Sequence, residues 1–204
     1  MTDKKCRLCR REGIKLFLKG ERCFSPKCPI DRKGAVPPGV HGAKRTRGRH
    51  SEHSQQLREK QKLRRLYHLD EKQFKNYFFK AKKTKGETAE LLVKLLESRL
   101  DNVVFRLGFV PSRLSARQLV NHGQITVNGK RVDIASYLVK SGDTIALSGR
   151  GLKMPIVTDT LAKKEALPEW LERKAAVGRV KRLPKGEEID VNLNAQAVVE
   201  YYSK

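Results

Sequence analysis

The amino-acid sequence predicts an α+β protein: a metal-bound N-terminal knob, then a run of helices, then a small antiparallel sheet. Three observations predict it. All four cysteines, Cys6, Cys9, Cys23 and Cys28, fall within the first 28 residues in a C-x2-C-x13-C-x4-C pattern, and none follows. Between residues 51 and 122 apolar side chains return every three to four residues, the period of an amphipathic helix. From residue 124 the period drops to two around an Asn-Gly pair, which marks a tight hairpin.

The cysteine quartet comes first in the chain. Two closely spaced thiol pairs separated by a short loop suit the tetrahedral ligand set of Zn²⁺, and a reducing compartment disfavours disulfides between them. An iron-sulfur cluster on the same four thiolates, or unmetallated and redox-active thiols, are the alternatives. Lys4, Lys5, Arg7, Arg10, Arg11, Arg22 and Lys27 crowd the quartet, so the local field would favour thiolates and also meet phosphates. The segment is too short to bury a core unaided, and metal binding would serve as its folding free energy. His41 reads as a loop residue. Residues 31 to 50, with Pro37, Pro38 and the cationic run Lys44, Arg45, Arg47 and Arg49, read as an extended basic connector whose cations are expected to contact nucleic acid.

From Ser51 the pattern is helical. Leu57, Leu63, Leu66 and Tyr67 make a narrow apolar stripe, while Arg58, Lys60, Lys62, Arg64 and Arg65 crowd the rest and are expected to meet anions. Asp70 caps the next helix, in which Phe74, Tyr77, Phe78 and Ala81 share a core face. Thr88 opens a third helix with Leu91, Leu92, Leu95 and Leu96. Leu100, Val103, Val104 and Leu107 form a fourth, stopped by Gly108. Ser112 caps a fifth over residues 113 to 122, with Gly123 just past its end; Ala116, Leu119 and Val120 face inward, and Arg113, Arg117 and Asn121 line an adjacent stripe. Ile125 and Val127 then alternate into Asn128-Gly129, a type I′ turn, with Lys130 and Arg131 at its tip and Val132 on the return strand. Short strands are expected at Leu138-Val139 and from Thr144 to Leu147. Ser148 to Lys153 reads as a loop, Leu161 to Leu171 as partly helical, and Trp170 as a packing anchor.

Charge narrows the function. Among 204 residues, 45 Lys and Arg stand against 22 Asp and Glu, a formal net charge of +23 spread along the whole chain. Such a chain repels itself and favours a polyanion, and each phosphate it neutralises releases condensed counterions. With no apolar run of ~18 residues and no signal-peptide core, a soluble intracellular protein without a membrane partner is expected. An enzyme would need a placed nucleophile or acid-base pair. The five histidines sit mostly in basic, polar contexts and the cysteines are committed to one cluster, so neither catalysis nor a small-molecule substrate is expected. A zinc-dependent DNA-binding regulator would usually show C2H2 spacing, which is absent.

Certain motifs carry a resemblance. Arg99-Leu-Asp-Asn-Val-Val-Phe-Arg-Leu-Gly-Phe109, Ser112-Arg-x-x-Ala-Arg-Gln-Leu-Val-x-His-Gly123 and Ile125-Thr-Val-Asn-Gly129 resemble the helix-hairpin RNA-binding module named after small-subunit ribosomal protein four. Pro37-Pro-Gly-Val-His-Gly42, Leu57-Arg-Glu-Lys-Gln-Lys62, Gln73-Phe74 and Val199-Glu-Tyr-Tyr-Ser203 resemble that ribosomal family outside the module, and the four cysteines resemble its metal-binding bacterial form. The resemblance implies a four-cysteine metal-binding segment and basic linker over residues 1–45, a helical domain over 46–96 rejoined by 186–204, and an α+β domain over 97–185 holding the module at about 97–160. It implies cytoplasmic ribosomes, or organellar ones, as the location. Direct binding of small-subunit ribosomal RNA, early assembly of the subunit body, contact with small-subunit protein five, a share in the path by which mRNA enters and, in some bacteria, repression of its own message also follow from it. Arg113, Arg117, Gln118, His122 and Lys130 are its RNA-facing positions, to which the charge pattern adds Arg131. An RNA-binding translational regulator, or a zinc-dependent nucleic-acid-binding regulator outside the ribosome, is the alternative. The chain departs from the family at its opening, which lacks Arg-Tyr-x-Gly-Pro, at His68 in place of a usual glycine, and at Ala195 in place of a common glutamate.

Overall fold

The computed structural model describes residues 4–42, 51–163, 166–184 and 194–203, so the expected contacts of Lys44, Arg45, Arg47 and Arg49 lie outside the described residues. The chain forms two compact units, Met1–Phe78 with Val191–Lys204, and Phe79–Asp190. Residues 79–96, which the sequence assigns to the helical domain, therefore belong to the second unit.

In the first unit, α1 (Lys4–Glu12), a 3-10 turn (Gly20–Cys23) and α2 (Pro29–Lys33) build the knob. Leu16 and Leu18 are buried together with Cys9, and Arg10 donates to the carbonyls of Val36 (2.7 Å) and Pro37 (3.2 Å), tying down the start of the connector. The next helix, α3 (Glu52–Leu66), begins at Ser51, whose hydroxyl accepts from the Ser54 amide. It ends with the Leu69 amide on the Arg64 carbonyl and the His68 amide on that of Arg65. This pairing places residue 68 in the left-handed region, φ 53°, which explains why glycine is the easier residue there. The following α4 (Glu71–Lys83) brings Phe74 and Phe78 against Tyr202 of α10 (Ala195–Ser203), with the Phe78 and Tyr202 rings stacked 4.7 Å apart.

The second unit contains α5 (Thr88–Glu97), α6 (Leu100–Arg106), α7 (Arg113–Asn121), α8 (Gly149–Leu152) and α9 (Pro155–Leu161). Its sheet has five antiparallel strands in the order β2-β1-β3-β5-β4, from β1 (Ile125–Val127), β2 (Lys130–Arg131), β3 (Thr144–Leu147), β4 (Leu171–Lys174) and β5 (Val177–Val180). Register sets Ile125 opposite Leu147, Val127 opposite Ile145, and Ile145 opposite Gly178. One sheet face is therefore apolar, and it joins Leu100, Val103, Val104, Leu107, Leu119, Val120 and Trp170 in a single core.

Three local expectations are corrected. Leu138 makes an isolated bridge to Arg99, not a strand. Ser148 to Lys153 is not loop: the Ser148 hydroxyl accepts from the Gly151 amide at 3.0 Å and starts the short α8. Among the described residues from Leu161 to Leu171 only Leu161 is helical, and the β4-β5 hairpin that follows is not among the elements the sequence predicts. Gly178 allows that hairpin to close on the core, since a Cβ there would run into the Leu107 side chain. Gly178→Ala should accordingly cost about 1–3 kcal/mol through overpacking, read as a lower thermal midpoint of the purified chain.

Candidate nucleic-acid interface and cysteine cluster

The basic residues expected on α3 turn out to be engaged within the fold. Lys60 is buried, its side chain 5% exposed; its Nζ donates to Glu71 Oε1 at 2.6 Å and lies 4.5 Å from the centre of the Tyr201 ring. Lys60 is thus engaged in packing and pairing within the fold. Burial works to raise the Glu71 pKa, but the hydrogen bonds from Lys60 and Tyr202 prevail and hold this carboxyl below its ordinary value. Tyr202 is pushed up by burial and by the carboxylate it donates to. Arg65 pairs with the buried Glu12, which Arg58 also contacts at 3.3 Å. Burial lowers the Arg65 pKa, with Glu12 opposing it. Lys62 reaches Glu59 at 2.5 Å, and Arg64 reaches Gln61 at 3.1 Å.

Arg113, too, is engaged within the fold. Its side chain is 12% exposed, with Nε donating to Asn102 Oδ1 at 2.7 Å, Nη2 3.7 Å from Glu97 Oε1, and the guanidinium 4.6 Å from the centre of the Phe105 ring. Asn102 in turn donates to Glu97 Oε2 at 2.7 Å, and Arg106 grips both Glu97 oxygens at 3.0 and 3.1 Å. Beside them Arg99 donates twice to Asp101, at 3.0 and 2.7 Å. Sequence reasoning missed this buried network. The available signal was the density of charged and amide residues within an otherwise apolar helical run, where each must find a partner.

What remains outward forms one surface. Gln118 and His122 are exposed on the last turns of α7 and line a shallow groove with Val110, Ser115, Leu119, Met154 and Ile156. Arg117 is half-buried on the same helix. Gly123, at φ 65°, ends α7, and a Cβ on it would collide with the Arg131 guanidinium; the helix end and the hairpin cation are therefore in contact. Lys130 and Arg131 are exposed. Asn128 and Gly129 have φ 51° and 79°, as the I′ turn requires. The Asn128 side chain braces this turn by donating to Asp143 Oδ1 at 2.8 Å and accepting from the Thr144 amide at 2.9 Å.

The four cysteines are free thiols lining one small cavity with Lys15, Phe17, Lys19 and Arg22. Burial pushes the Cys6 and Cys9 thiols up; Arg22 opposes this at Cys6, and a backbone hydrogen bond at Leu16 opposes it at Cys9. Among the described residues no group of three or more His, Cys, Asp or Glu has the arrangement of an assembled metal site. The donor set nevertheless fits a thiophilic cation: four free thiols border one cavity, and burial opposes the ionisation of Cys6 and Cys9 unless a positive charge compensates it.

A rigid helix and a braced hairpin presenting cationic and amide side chains together define a protein built around a nucleic-acid-binding module. Residues 1–97 match the family model described as Ribosomal protein S4/S9 N-terminal domain, and residues 98–145 match the S4 domain. Small ribosomal subunit protein uS4 of Natranaerobius thermophilus is 54% identical over 98% of this chain and 96% of its own length. Its counterpart in Thermodesulfovibrio yellowstonii is 52% identical over 100% and 98% respectively, and that of Thermus thermophilus 51% over 98% and 96%. The chain belongs to the uS4 family of small-subunit ribosomal proteins. No helix among the described residues is long and apolar enough to cross a membrane.

Replacing Arg113 with alanine leaves Glu97 and Asn102 buried with a lost partner. Arg113→Ala should therefore destabilise the chain by about 2–4 kcal/mol in urea unfolding, near the lower end of what breaking a buried pair costs. Lys130→Ala should leave the unfolding midpoint unchanged.

Proposed function

We propose that this chain is a structural constituent of the small ribosomal subunit that binds small-subunit ribosomal RNA directly and helps nucleate assembly of the subunit body. The observation that carries the reading is family membership along nearly the full chain combined with the outward α7-hairpin surface of Arg117, Gln118, His122, Lys130 and Arg131. These side chains suit phosphate and ribose contacts on folded RNA, where the arrangement of cations on a rigid frame supplies specificity. Lys44, Arg45, Arg47 and Arg49 would extend the contact along the backbone. The role is non-catalytic. Small-subunit protein five and incoming mRNA are the further partners that the family resemblance supports, in cytoplasmic ribosomes.

Zn²⁺ at Cys6, Cys9, Cys23 and Cys28 belongs to the same proposal, with an iron-sulfur cluster as the competing occupant. Bound there, a zinc ion would supply positive charge and a covalent crosslink between α1, the 3-10 turn and the start of α2. The cysteines would hold it as thiolates, with Arg22 adding a compensating charge beside Cys6.

Two measurements test these readings. The chain should co-sediment with small subunits and prefer their RNA to an unrelated transcript or duplex DNA. Its log K should fall with log salt by about 0.7 to 0.9 per phosphate contact, and Lys130→Ala or Arg131→Ala should each reduce that slope by about one contact. A flat salt dependence would refute phosphate-led binding. For the metal, the purified chain should carry about one zinc ion, released by a thiol-modifying reagent with loss of knob helicity. A brown chromophore would assign iron and sulfur instead.

A further inference from the structure

Phe17 and Phe24 are placed where apolar side chains are not expected. They are 41% and 74% exposed, yet their rings stack on one another, centroids 4.8 Å apart and planes 23° from parallel. The backbone directs them outward. Leu16 and Leu18 are buried on either side of Phe17, and Cys23 is buried just before Phe24. Phe17 also adopts φ 50°, a left-handed conformation uncommon for a bulky residue. Strain of this kind at an exposed position points to a use for the side chain.

The surroundings indicate what that use is. Between residues 4 and 42 eleven Lys and Arg stand against three Asp and Glu, and Lys15, whose Nζ donates to Asp31 at 2.6 Å, Lys19 and Arg22 line the same cavity as Phe17. A pair of flat aromatic faces in a cationic setting is complementary to a nucleobase, whose π-face stacks on the ring while its phosphates meet the cations. Apolar cover from another protein would match the rings but not the charge around them.

We propose that the Phe17-Phe24 pair is a stacking platform for an unpaired base of the bound RNA, with Phe24 as the outer face. Phe17 lies between Phe24 and the cysteine knob, so the platform is held by the buried Leu16, Leu18 and Cys23. The site shares no residue with the α7-hairpin surface. It rests on the reading that the chain binds ribosomal RNA, and it names a contact that reads base planes and not only phosphates.

The test measures affinity of the full chain for naked small-subunit RNA and for an unrelated single-stranded transcript of equal length, across a salt series. Phe24→Ala should weaken binding about 5- to 100-fold, with the slope of log K against log salt unchanged, because stacking releases no counterions. Phe24→Trp should retain affinity, and its indole fluorescence should be quenched on binding against the constant background of the buried Trp170. Phe24→Leu should be as weak as Phe24→Ala. Equal unfolding midpoints for all three variants exclude a folding defect. Wild-type affinity of Phe24→Ala on both RNAs, or of Phe24→Leu, would overturn the platform, the latter result indicating simple apolar cover. The ribosomal reading fails by a different outcome: a wild-type chain that shows no preference for the small-subunit RNA.

Discussion

Glu97 carries a carboxylate into the second unit with only 1% of its side chain exposed, and the arrangement of α5, α6 and α7 follows from satisfying it. Arg106 grips both oxygens, Asn102 donates to one, and Arg113 reaches across from the first turn of α7. A charge removed from water must be paired and hydrogen-bonded or it is expelled. Three successive helices are thereby held to one geometry that apolar packing of Leu100, Val103 and Leu107 alone would leave freer to slide. The surface of α7 that bears Gln118 and His122 takes its orientation from this buried pairing.

The same logic redistributes the chain's cations. Lys60, Arg65, Arg99, Arg106 and Arg113 all count toward the net charge of +23, yet all of them bond to carboxylates or amides within the fold. Net charge is a sound argument for a polyanionic partner. Helical periodicity does not say which of two flanking cations faces outward when an acid elsewhere in the chain can claim one of them. For α3 those acids are Glu12 and Glu71, each beyond the end of the helix they serve.

Periodicity and turn chemistry made α3 to α7 and the β1-β2 hairpin legible, because Ser51, Ser112, Gly108, Gly123 and Asn128-Gly129 each mark a boundary with its own geometry. The β4-β5 hairpin left no such mark. Its turn is Ala175-Ala176, with Ala175 at φ 51°, and an inward position on β5 is Gly178, which has no side chain to register in an alternation. The helices of the cysteine knob were also illegible, since charges and cysteines mask any apolar period in so short a segment. Within the candidate site, the outward placement of Gln118, His122, Lys130 and Arg131 agrees with what motif and position predict. The inward turn of Arg113 was not legible, because Glu97 lies a whole helix away in sequence.

The clasp between Asn128 and the Asp143-Thr144 corner has a kinetic meaning. A hairpin already locked at its apex needs no search through loop conformers when it docks, which leaves encounter, orientation and long-range attraction to set its association rate. Ions in the medium would then slow arrival, while the residence time of the complex would depend on how many short-range contacts must break together.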